Sequence, residues 1–182
     1  MLKNILAAIA LLALVGCSKN NTETPYKSAI GATMEEVQAV EGEPAQTLPQ
    51  GVRYDNVKWQ GFTGELFYLT APDGTVGSIA YSVTGVDKEK VLAKVDSLYE
   101  EASPDVFYKI YRDALTAQKE ALQLSDEEIE NNIQILKENT DPILETRDLV
   151  FYTYNDLTIQ FIADVNEEGK PVCGIIYYKE LS

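Results

Sequence analysis

Apolar and polar residues follow one another along this chain with two different periods, and the changes of period divide it. Lys3 is followed by an unbroken apolar run from Ile5 to Val15. That run is well short of the roughly 20 residues that cross a bilayer and has the length of a cleavable leader's apolar core. Residues 18–27 then hold almost nothing to bury, with Asn20, Asn21, Thr22, Glu23, Thr24 and Pro25 in succession, which is the composition of a flexible tether. From Ile30 the spacing turns helical. Met34, Val37 and Val40 share one face, Thr33 and Glu36 stand at capping-box spacing ahead of it, and Gly42 with Pro44 ends it.

Period two follows. Val57 to Trp59, Leu66 to Thr70 and Gly77 to Val83 read as three strands, with turns at Gly61 to Gly64 and at Pro72-Asp73-Gly74. Asp87 then opens a helix in which Val91, Val95, Leu98 and Ala102 recur at helical spacing. Ser103-Pro104 starts another, striped by Phe107, Ile110, Tyr111, Ala114 and Leu115. Ser125 with Glu128 caps a third, lined by Ile129, Ile133 and Leu136, and Asp141-Pro142 is expected to stop it. Leu149 to Tyr178 repeats the meander, Gly77-Ser78-Ile79-Ala80-Tyr81 corresponding to Gly174-Ile175-Ile176-Tyr177-Tyr178. The pattern predicts an α+β fold, with short helices packed on an antiparallel β-meander and a helix and three-strand unit duplicated around a helical insertion. The expected organisation is a leader over 1–16, a tether over 17–27, a first unit over 28–86 and a second over 87–182. The second unit's helices would fall within 87–140 and its meander within 148–180.

Leu14-Val15-Gly16-Cys17, at the end of the apolar run, resembles the lipobox of bacterial lipoprotein precursors. The resemblance implies cleavage before Cys17 and acylation of that cysteine, so that several acyl chains hold the protein on a membrane surface. Ser18 in the next position implies the outer membrane, and the absence of a dense acidic cluster in the tether implies its periplasmic face. Ile30-Gly31-Ala32-Thr33-Met34-Glu35-Glu36-Val37, followed by Gly42-Glu43-Pro44, resembles the opening of the SmpA/OmlA lipoproteins, with Ala32 where that family carries Met. That likeness implies short helices followed by a small antiparallel meander, a unit of the kind that the β-lactamase inhibitor protein uses twice.

Charge narrows the partners. The chain has 15 basic and 29 acidic side chains, a formal charge of −14, and loss of Lys3 with the leader would take it to −15. Such a surface repels phosphate, so nucleic acid is not expected as a partner and attachment to a membrane falls to the lipid on Cys17. With Cys17 acylated, Cys173 has no disulfide partner within the chain. Between Val172 and Ile175 in a strand, it reads as a buried, inert thiol.

The chemistry-bearing motifs are few. The sequence contains no histidine, which removes the usual general base and the commonest transition-metal ligand. It has neither a phosphate-cradling glycine loop nor a Gly-x-Ser-x-Gly elbow. Thr116 and Lys119 have nucleophile-to-lysine spacing without any companion motif. Asp164-Val165-Asn166-Glu167-Glu168-Gly169 copies the first half of a calcium loop, but the twelfth position is Ile175 where the bidentate Glu should stand, so a hairpin turn is the expectation. Asp126-Glu127-Glu128 and Glu35-Glu36 suit helix N-termini, where the dipole favours negative charge. No catalytic residue, metal ligand or cofactor is expected, and the chain reads as a non-enzyme.

Alternation also assigns the faces of the sheet. If Leu66, Tyr68, Ile79, Tyr81, Ile159, Phe161, Ile176 and Tyr178 face the helices, then Phe67, Leu69, Ile162, Ile175 and Tyr177 point the other way. A patch so apolar needs a cover, either the insertion between Pro104 and Asn139 or a partner protein, which makes those five residues the candidate binding surface. Tyrosine outnumbers phenylalanine eleven to five, and its polar tip suits half-wet surfaces as well as the rim of a core. The expected function is an envelope lipoprotein that binds another protein without catalysis, in an assembly, scaffolding or inhibitory role. The alternatives are a periplasmic binder of a small ligand or cell-wall fragment, with a deep aromatic-lined pocket, and a hydrolase using carboxylates alone across a cleft.

Overall fold

The computed structural model describes residues 29–179. The leader over 1–16, Cys17 and the tether over 17–27 lie outside the described residues. The first half runs α1 (Met34–Glu41), β1 (Gln46–Leu48), β2 (Gly51–Trp59), β3 (Phe62–Thr70) and β4 (Val76–Thr84). The second runs α2 (Lys88–Asp96), β5 (Glu100–Glu101), α3 (Asp105–Ala117), α4 (Lys119–Leu122), α5 (Asp126–Glu145), β6 (Leu149–Tyr154), β7 (Leu157–Val165) and β8 (Pro171–Lys179).

The strands form one antiparallel sheet in the order β1-β2-β3-β4-β8-β7-β6-β5. The fold is α+β, with helices packed on antiparallel meanders. The last strand of each meander meets the other at the centre, where Ile79 lies opposite Tyr177 and Tyr81 opposite Ile175. From that seam outward each half repeats one series: three meander strands, then a short edge strand that follows a helix in sequence. The second half differs in holding α3, α4 and α5 between its edge strand and its meander.

Local chemistry sets the element ends. Glu36 N–H donates to Thr33 Oγ1 at 3.3 Å and Thr33 N–H donates to the Glu36 carboxylate at 2.8 Å, closing the capping box of α1. Gly42, at φ 85°, ends that helix in a conformation that a side chain would resist. Val37 is buried as expected, whereas Val40 is 84% exposed, because a helix of two turns on a sheet can seal only its innermost residue. The β2–β3 turn is Gln60-Gly61, both at positive φ, and β3 begins at Phe62 paired with Trp59, one residue after Gly61. Leu98 and Ala102 do not continue α2. The helix stops at Asp96, and Glu100–Glu101 pairs with β6 as an edge strand whose two exposed acids give no alternation to read. The Ser125/Glu128 box opens α5, and that helix runs through Pro142 to Glu145. Proline there forfeits one bond of the last turn without stopping it.

The main core lies on one face of the sheet. Val37 of α1 and Val91, Leu92 and Val95 of α2 pack there on Trp59, Tyr68, Ile79, Tyr81, Ile159 and Phe161. Full burial of a large apolar side chain contributes about 1.5–3 kcal/mol, so this layer dominates the stability. Its tyrosines keep their hydroxyls bonded: Tyr68 donates to Glu41 at 2.6 Å, Tyr81 to the Val57 carbonyl at 2.8 Å, Tyr152 to Asp96 at 2.6 Å, and Tyr99 and Tyr177 share a hydrogen bond at 3.0 Å. Burial raises the hydroxyl pKa of Tyr81 and Tyr152 far above the ordinary range, so these groups stay neutral donors.

The phase of β8 corrects one expectation. Ile175 and Tyr177 pair across the seam with Tyr81 and Ile79, so they face the helices and are buried in the main core. Ile176 and Tyr178 take the opposite face. The likeness of Gly77–Tyr81 to Gly174–Tyr178 aligned Ile79 with Ile176, one residue out of phase, and in a strand one residue exchanges the faces.

Candidate functional site

The five residues expected to form one binding surface are divided by the fold. Ile175 and Tyr177 belong to the helix-side core. Phe67 and Leu69 do lie on the other face, where they cluster with Ala80 and Ile176, but Phe67 is 1% and Leu69 6% exposed. Among the described residues, the partly buried apolar side chains packed against this cluster are Leu48 and Tyr178 of the same sheet. At the β6 end of the face the insertion is the cover, with Phe107 of α3 stacked on Phe151 at 4.9 Å. Ile162, half-buried, lines a cleft of its own. No single exposed apolar patch unites the five.

That cleft, of about 500 Å³, opens at the end of the second meander. Its walls come from elements far apart in sequence: Pro142 and Ile143 from the last turn of α5, Leu149 from the start of β6, Ile162 and Val165 from the end of β7, and Pro171 from the start of β8. Cys173, without exposure, lies in the floor. Burial pushes its thiol up to about 11, so the sulfur is a protonated apolar surface and not a nucleophile.

One side of the rim is polar. The Lys88 ammonium donates to Asp148 Oδ1 at 2.8 Å and to the Thr146 carbonyl at 3.0 Å, and it stands 3.6 Å from Glu89. Thr146 donates its hydroxyl to Asp148 Oδ2 at 2.5 Å. Burial works to raise the Asp148 carboxyl, but the hydrogen bonds from Lys88 and Thr146 outweigh it and hold the group below the usual carboxylate range. Asp164, exposed on the same rim, accepts the Val165 amide at 2.8 Å. Lys88, Thr146 and Asp148 span 60 positions of sequence, and no motif spacing marks them in advance.

A second feature is the insertion itself. Arg112 of α3 grips Glu130 of α5 at 2.6 and 2.9 Å, and Tyr108 bonds Thr140 at 2.7 Å beneath them. Ile129, Ile133, Thr140 and Tyr108 form the buried part of this helical hairpin. Phe107, Ile110, Tyr111 and Leu115 along α3 are each only half-buried.

Several acidic residues are spent locally. Glu36 and Glu128 close capping boxes, Asp96 and Glu101 hold Arg147 at 2.8 and 3.0 Å, and Asp148 holds Lys88. Asn166–Gly169 is a hairpin turn, with Asn166 Oδ1 accepting the amides of Glu168 and Lys170. Among the described residues no group of three or more acids, cysteines or histidines is placed to hold a metal ion. No described helix is long and apolar enough to cross a membrane. Comparison of the chain with protein-family models, with curated proteins and with solved structures gives no match.

Proposed function

We propose that the chain is an envelope lipoprotein whose α+β module binds another protein without catalysis, in an assembly, scaffolding or inhibitory role. The observation that carries the binding reading is the half-covered stripe of α3. Phe107, Ile110, Tyr111 and Leu115 lose only part of their surface to the rest of the fold. On the neighbouring helices Leu122 and Ile135 are 50% and 47% exposed. Aromatic and aliphatic side chains left partly in water along one helix have the composition of an interface core, and a partner would complete their burial. The leader and Cys17 support a membrane-anchored location, which limits encounters to partners at the same surface. The engagement of Glu36, Glu128, Asp96, Glu101 and Asp148 in caps and ion pairs, and the neutral buried thiol, support the non-enzymatic part.

Position-specific crosslinking tests this reading. A photoreactive side chain at Ile110 or Leu115 should yield one adduct of fixed mass in the native cell, and the same probe at exposed Lys58 should yield none. Cys17→Ser should abolish both acyl labelling and the adduct. No adduct from α3, or equal adducts from all three positions, removes the binding reading; acyl label persisting in Cys17→Ser removes the anchor.

A further inference from the structure

We propose that the cleft between α5 and the β7–β8 hairpin is a second binding site, for a small amphiphile with an aliphatic chain and a protonated amine head. The chain part follows from the walls. Pro142, Ile143, Leu149, Ile162 and Val165 offer aliphatic surface around the sulfur of Cys173, and none of the lining side chains is aromatic. Such a lining gives a flexible alkyl chain contact along its length and gives a flat ring no stacking partner. Val165, 62% exposed at the mouth, is apolar surface that an occupant would cover.

The head follows from the rim. Lys88 is the cation among the lining residues, and its ammonium is already directed at Asp148, the Thr146 carbonyl and Glu89. A carboxylate or phosphate entering here would find that ammonium occupied and would meet the charges of Asp148 and Asp164. An ammonium would meet the exposed Asp164 favourably, since that carboxylate accepts only its neighbour's amide among the described residues, whereas Asp148 already accepts from Lys88 and Thr146. Charge complementarity thus selects a cationic head over an anionic one of equal chain length. The site shares no lining residue with α3, so its failure would leave the protein-binding reading standing, and the converse holds.

Titration calorimetry of the purified full chain with decylamine, decanol and decanoate decides the matter, each ligand kept below its micelle concentration at neutral pH. Decylamine should saturate one site, decanol should bind the same site more weakly, and decanoate should not bind. Ala163→Phe, placed to fill the cleft, should abolish decylamine binding while thermal unfolding shows the fold retained. Asp164→Asn, an exposed change that carries the test alone if the first variant does not fold, should weaken decylamine about fivefold and leave decanol unchanged. Decanoate binding as tightly as decylamine, indifference of decylamine to Asp164→Asn or to a folded Ala163→Phe, or the absence of saturable decylamine binding would each overturn the proposal.

Discussion

The two halves of the sheet solve the same packing problem with different material. In each, an opening helix covers one face, α1 with Val37 and α2 with Val91, Leu92 and Val95. In each, a sheet tyrosine donates to the acid that ends that helix, Tyr68 to Glu41 and Tyr152 to Asp96. The far face is where they part. At the β6 end a side chain of the insertion, Phe107, lies flat on Phe151, while the apolar residues described around Phe67 (Leu48, Leu69, Ala80, Ile176 and Tyr178) all belong to the sheet itself. One meander carries a helical cover from within the chain, and that cover brings the half-buried stripe of α3 and one wall of the cleft under α5. The partly covered stripe lies on the inserted helices and the cleft forms where their last turn meets β6, β7 and β8, while the repeated framework supplies the core.

The largest expected effect tests whether the insertion is integral to the second half. Phe151 is 1% exposed, so Phe151→Ala should cost about 3–5 kcal/mol in denaturant unfolding. Phe107→Ala, removing the half-buried partner in the stack, should cost about 1–2 kcal/mol and should raise hydrogen exchange in β6 and β7 ahead of β2 and β3. Equal exchange changes in both meanders would mean that the halves unfold as one unit, and no change in β6 would mean that the insertion rests on the sheet without stabilising it.

How much of this could be read from the chain depends on which interaction fixes each feature. Capping boxes and turns are local, and Thr33/Glu36, Ser125/Glu128 and the Asn166–Gly169 hairpin were legible because their partners lie within a few residues. The meanders were legible because a half-buried strand alternates. β5 was not, since its two glutamates are fixed only by pairing with Thr153 and Tyr152 some 50 positions on. The face taken by Ile175 and Tyr177 was misread for the same reason: the run Gly174-Ile175-Ile176-Tyr177-Tyr178 is apolar at both parities, and only the register against Tyr81 and Ile79 chooses. The cleft is the extreme case. Five separate elements line it, and the Lys88–Asp148 ion pair on its rim joins the first residue of α2 to the residue before β6.

The tyrosine clamps distinguish the two halves at a smaller scale. Tyr68→Phe and Tyr152→Phe should each cost about 1 kcal/mol, since each loses a hydrogen bond to a carboxylate that can turn to water instead. The halves should differ in coupling. Asp96 also binds Arg147 at 2.8 Å, so Tyr152 and Arg147 act on a shared acid. A double-mutant cycle of Tyr152→Phe with Arg147→Ala should show at least about 0.5 kcal/mol of non-additivity, and Tyr68→Phe with Arg147→Ala should be additive. Additivity in both cycles would dissolve the three-member network into separate contacts.

The smallest effects come from the two capping boxes, one on a framework helix and one on an inserted helix. Thr33→Ala and Ser125→Ala should each cost about 1 kcal/mol near neutral pH. The backbone amide of Thr33 and then its hydroxyl hold the Glu36 carboxyl below its ordinary value of 4.5, and Ser125 does the same to Glu128. A carboxyl depressed in the folded state adds stability that is fully present above 4.5 and is lost as the pH falls through the lower folded value. The gap between each variant and the parent should therefore narrow in urea melts taken at progressively lower pH. The same pair distinguishes framework from insertion. α1 buries Val37 directly in the main core, so Thr33→Ala should lower the global unfolding free energy. The last turn of α5 meets β6, β7 and β8 at the cleft, far from Ser125, so Ser125→Ala should speed amide exchange within α3 and α5 before it shifts the global midpoint. A global shift of equal size from both variants would show the inserted hairpin to be as tightly coupled to the core as α1 is.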